Sequence, residues 1–157
     1  MRPRHVIAAL TLGALAGPAL AAQERPDRRE REARDWIERC GEDHGDDDRE
    51  RHCEVRESRL QAGRTLAVDG RQNGGIEVEA WDGKDILVQA RIQAVAPTLD
   101  EAREIAAGVR VDTAAPTISA TGPSTSGSRH WWVSYVISVP REAAGETYNV
   151  KLAGDPL

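Results

Sequence analysis

A mainly β fold is the class this sequence predicts, as an antiparallel sheet or two-layer β-sandwich with one crossover α-helix and a short amino-terminal helix. Three observations predict it. Apolar and polar residues alternate with period two over most of the chain after Leu66, the pattern of a sheet with one wet face. Asn-Gly and Asp-Gly pairs punctuate those runs at Asn73-Gly74 and Asp82-Gly83, where tight turns take them. A single segment near residues 98–108 switches to helical period.

Residues 1–21 are read as a signal peptide. Arg2 and Arg4 precede an apolar run from Val6 to Ala16, then Gly17-Pro18 and the small-residue signature Ala19-Leu20-Ala21. That run is shorter than the ~20 residues that span a bilayer. Its removal takes the net charge from -5 to -7, and an acidic chain lacks the Lys and Arg clusters that nucleic acid requires. The expected location is therefore periplasm, outer surface or outside the cell, with no transmembrane segment in the mature protein. About 135 residues remain, which suits one domain.

Residues 22–59 form a charged arm: 14 acids and 10 arginines lie between Gln23 and Arg59. Within it Ala33, Trp36, Ile37 and Cys40 take the i, i+3, i+4, i+7 spacing of one helical face, and Gly41 follows as a stop. A short helix over roughly 28–40 is expected, resting its narrow stripe on something else.

Residues 60–157 carry the β domain. Leu66 and Val68 precede one turn; Ile76, Val78 and Ala80 share a face opposite Glu77 and Glu79. "WDGK" is expected to close a hairpin onto Ile86, Val88, Ala90 and Ile92, with Gln89, Arg91 and Gln93 on the wet side. The expected core is Ile76, Val78, Ile86, Val88, Ile92 and Ile137. "PTLDE" at 97–101 reads as a capping box, Thr98 capping and Glu101 reaching back. Leu99, Ala102, Ile105, Ala106 and Val109 line the helix. Strands return at about 109–113, 117–121 and 130–139, the last two joined by a hairpin loop, "TGPSTSGSR".

The stretch "NGGIEVEAWDGKDILVQARI", with "RHCEVRE" at 51–57, the helix "APTLDEAREIA" and "WWVSYVISVP", resembles a bacterial adhesin-type domain family of unknown function. Its members carry Asn-Gly-x-Ile-x-Val β-repeats, and the resemblance covers the amino-terminal part, about residues 51–140. It implies an exported envelope or surface protein. Members continue into repeats that stack as a β-solenoid, which needs neighbours and capped ends. Here Tyr148-Asn149-Val150-Lys151-Leu152 stands where the next repeat would begin, and the chain ends at Leu157. The expectation is a β domain truncated at its carboxyl end, whose residues 147–152 form an edge strand that self-associates.

"CGEDHGDDDRERHC" at 40–53 offers Cys40, His44, His52 and Cys53 as a metal set. Zinc ligands are usually paired as C-x2-4-C and H-x3-5-H; here two are adjacent, and adjacent side chains rarely converge. Two cysteines in an exported chain usually bridge, and closing such a loop stabilises by ~3 kcal/mol. The reading is a Cys40–Cys53 disulfide, with no metal and no cofactor. Ser124, Ser126 and Ser128 near His130 lack a nucleophile elbow, so no catalytic residue is assigned. Trp131 and Trp132, being adjacent, must face opposite sides of a strand; with Trp81 they are the candidate contacts for an envelope protein or glycan. The arm helix, through Trp36 and Ile37, is expected to cover whichever of the two is not core. Function is read as a non-enzymatic binding or structural module. The alternative is a periplasmic hydrolase or metal-dependent enzyme using the 40–53 or 124–130 region.

Overall fold

The computed structural model describes residues 28–42, 49–62, 66–70, 74–114, 117–141 and, as backbone, 151–153. The elements are α1 (Arg28–Glu42), β1 (Glu50–Leu60), β2 (Ala67–Asp69), β3 (Ile76–Trp81), β4 (Ile86–Ala96), α2 (Leu99–Gly108), β5 (Arg110–Asp112), β6 (Thr117–Thr121), β7 (His130–Pro140) and β8 (Lys151–Ala153). The signal-peptide segment and His44 lie outside the described residues.

The chain is mainly β, as its alternation requires. Its strands form one sheet in the order β1-β4-β7-β3 and a second in the order β5-β6-β2-β8. Ile86, Val88, Ile92, Val133, Tyr135 and Ile137 on the first sheet pack with Val68 and Ile118 on the second, with Leu66 just before β2, and with Ala106 of α2 and its C-cap Val109. All of them are at most 2% exposed. Burying a side chain of this size stabilises by about 1.5–3 kcal/mol. The opposite face of the first sheet lies under α1.

Both sheets are mixed rather than purely antiparallel. β1, β4 and β7 pair antiparallel, whereas β3 pairs β7 in parallel, Val78 opposite Ile137. β2 pairs both β6 and β8 in parallel. β7 therefore sits between β3 and β4, and "WDGK" closes no hairpin between neighbours. The connection from Trp81 to Ile86 strides over one strand, a span of about 10 Å at ordinary strand spacing. Likewise Gly122–Arg129 carries the chain from the second sheet to the first instead of closing a hairpin. Within that loop Ser126 and Arg129 pair through two backbone hydrogen bonds, with Gly127 at φ 59°. That φ suits glycine.

The arm ends at residue 49, not 59. β1 is a full strand of the first sheet, paired with β4 from Glu50–Ala96 to Leu60–Ile86. Its alternation was hidden because both of its faces carry charge. Arg56, on the α2 side, donates to the Val109 and Ala106 carbonyls and closes the carboxyl end of that helix. On the other side Glu57 accepts from Gln89.

Two core assignments change. Val78 is 44% exposed because β3 is the edge strand of its sheet, with no described strand beyond it. Gln89, expected to be wet, is 2% exposed, because its face lies beneath α1. Its Nε2 donates to Glu57 Oε1 at 2.7 Å. The α2 cap is half as expected: Thr98 Oγ1 accepts from the Glu101 amide at 3.3 Å, but the Glu101 carboxylate takes Arg129 at 2.9 Å. β8 is the edge of the second sheet at Lys151–Ala153; residues 147–150 lie outside the described residues.

Candidate binding site at the Trp81 cleft

Trp81 ends β3, and the sequence around it builds a cleft. Its indole Nε1 donates to the Asp85 carbonyl at 2.8 Å, tying the 81–85 loop. Gly83 lies against the ring: a Cβ there would come within 2.2 Å of an indole carbon. This glycine is required by close approach, not by a tight-turn φ. The Arg29 guanidinium stands 4.7 Å from the ring centroid and that of Arg59 at 5.6 Å, within cation–π range.

Arg29 comes from the first turn of α1. Its Nη2 donates to Glu79 Oε1 at 2.7 Å and its Nε to Ser138 Oγ at 2.9 Å, while that hydroxyl donates to the same carboxylate oxygen at 2.8 Å. Helix, β3 and β7 are thereby closed into one triangle. Arg28 pairs with Glu32 at 2.6 Å and Arg141 with Asp82 at 3.0 Å. The Glu32 hydrogen bond holds the exposed Arg28 guanidinium above its ordinary pKa. The cleft between them has a volume of about 310 Å³. Three guanidiniums face three carboxylates around one indole, which offers donors and acceptors at fixed spacing beside an apolar ring. Among the described residues lining it there is no histidine, cysteine, serine or lysine.

The cysteines meet. Cys40 at the end of α1 and Cys53 on β1 are joined, with Cα atoms 6.2 Å apart and both residues buried. His52 points to the other face of β1, as the neighbour of Cys53 must, and its Nε2 lies 3.4 Å from Glu54. Of the described members of the proposed metal set, the two cysteines are bridged and His52 turns away from them; His44 lies outside the described residues. Trp131 is core, 5% exposed, its Nε1 donating to the Pro123 carbonyl at 2.9 Å; that removes it as a ligand contact. Trp132 is half-buried on the α1 face and stacks with His130 at 6.1 Å. The His130 Nε2 is 2.7 Å from the Gly127 carbonyl oxygen. The ring is thus engaged with backbone, beside serines on an exposed loop. Trp36 takes Arg91 against its ring at 5.6 Å, and Ile37 is 36% exposed, so Ile37 faces solvent where a cover for a tryptophan was expected.

Sequence reasoning found Trp81 but not Arg28, Arg29, Glu32, Asp82 or Arg141 around it. The i, i+4 spacing of Arg28 and Glu32 was visible; nothing in it pointed to a tryptophan some fifty residues on. Comparison of this chain with protein-family models, curated proteins and solved structures finds no match to any of them.

Proposed function

We propose that this chain is an exported, non-enzymatic envelope or surface protein of adhesin type, a binding or structural module that meets an envelope protein or glycan through the Trp81 cleft. The observation that carries the reading is the Cys40–Cys53 bridge, which fastens the carboxyl end of α1 to β1. α1 has few buried apolar residues, Ala33 and Cys40, so it depends on that covalent tie. Such ties persist in oxidising compartments. The matched ion pairs of the cleft support binding over proton transfer, because each described arginine lining it is held by a carboxylate.

Retention on washed cell-envelope material tests it. Purified oxidised protein is expected to be retained, and the Arg141→Ala variant, which opens the Asp82 pair without touching the core, to be retained less. Equal passage of wild type and of an unrelated acidic protein would remove the reading.

A further inference from the structure

We infer that the outer edge of β3 is a strand-addition site for an extended protein segment that alternates apolar and basic side chains. This deepens the binding-module reading and rests on it. Among the described residues no strand pairs with that edge. The Tyr135 amide donates to the Gly75 carbonyl at 2.8 Å. Backbone polar groups alternate in direction along an extended strand, so those of Glu77 and Glu79 turn towards β7. The amides and carbonyls of Ile76, Val78 and Ala80 therefore face outwards, a row that a guest strand can satisfy.

The side chains decide which guest. Val78 is 44% exposed on one face and Glu77 is exposed on the other. Glu79 is matched by Arg29, whereas Glu77 has no ion-pair or hydrogen-bond partner among the described residues. A second copy of this chain fits poorly: antiparallel pairing centred on Val78 sets Glu77 opposite Glu79 of the copy, and like charges opposed across strands destabilise. A guest with Lys or Arg opposite Glu77 and an apolar neighbour opposite Val78 answers both faces.

The test uses the full oxidised protein and a short blocked peptide alternating lysine and valine, read by amide hydrogen exchange. The amides of Ile76, Val78 and Ala80 are expected to exchange fast in the free protein and become protected when peptide is added. Those of Glu77 and Glu79 are slow throughout. Glu77→Lys is expected to weaken binding by about tenfold or more, about 1.4 kcal/mol. Val78→Pro removes one outward N–H at an edge position where proline is tolerated and is expected to abolish binding, with cooperative unfolding retained. Should Val78→Pro fail to fold, Glu77→Lys and the exchange pattern still decide. Unchanged exchange at saturating peptide, equal binding of a glutamate–valine peptide, or protection that grows with protein concentration alone would each overturn the assignment. Retention on envelope material without peptide-induced protection overturns the edge site alone. Protection without retention overturns the envelope reading alone.

Discussion

Arg29 and Glu79 are 2.7 Å apart, one in the first turn of α1 and the other on the edge strand β3. With Ser138 between them they anchor the amino end of the helix, as Cys40–Cys53 anchors its carboxyl end. Side-chain exposures of 17% and 29% make this pair only partly screened. Arg29→Ala is expected to cost about 1–2 kcal/mol in denaturant unfolding. A double-mutant cycle with Glu79→Gln should return a coupling near 1 kcal/mol. Strict additivity would mean that the helix end is held by something else.

The two faces of β4 give a paired experiment. Val88→Ala removes methyls from the sealed core and is expected to cost about 1–3 kcal/mol. Gln89→Ala is expected to cost about 1 kcal/mol, because it takes the amide from the Glu57 carboxylate beneath α1. A silent Gln89 substitution would mean that α1 does not cover this face in solution.

Gly74 packs against the backbone of β7. A Cβ there would lie 1.5 Å from the Val133 carbonyl oxygen, a distance that only a backbone shift relieves. Gly74→Ala is expected to lower stability by about 3 kcal/mol or more, whereas at Gly75, where nothing lies within 4 Å, the same change should have little effect. Thermal unfolding of the two variants checks this.

Tyr135 supplies the pH dependence. Burial, with a smaller contribution from the Asp69 charge, pushes its phenol up to about 12 from 10. Below pH 10 both folded and unfolded chains hold this proton, and its contribution to stability is fully present. Between about 10 and about 12 the unfolded chain releases the proton first, so stability falls as pH rises. Tyr135→Phe should lose less stability over that window. Because its hydroxyl is buried with no hydrogen-bond partner among the described residues, the substitution should cost little at pH 7.

What could be read in advance follows from what leaves a local mark. The α2 cap at Thr98 and the period-two runs of β4 and β7 are local, and each fell where its pattern placed it. Pairing is not local: period two in Ile76–Trp81 and Ile86–Ala96 is compatible with their being neighbours or having β7 between them. Burial of Gln89 and exposure of Val78 depend on that choice and on where α1 lies. β1 was missed because Arg56 and Glu57 make it polar on both sides, each answering a different layer. At the cleft, the indole was legible and its arginine partners were not, since α1 reaches Trp81 only through the fold. The cysteine pair was legible because two cysteines allow one bridge.

The measurement that bears most directly on export of a disulfide-fastened module is a free-thiol count on the protein isolated from envelope or extracellular fractions. It is made in non-reducing denaturant together with the amino-terminal sequence. The expected result is no titratable thiol and a mature start just after Ala21. Two titratable thiols on a chain still beginning at Met1 would contradict it.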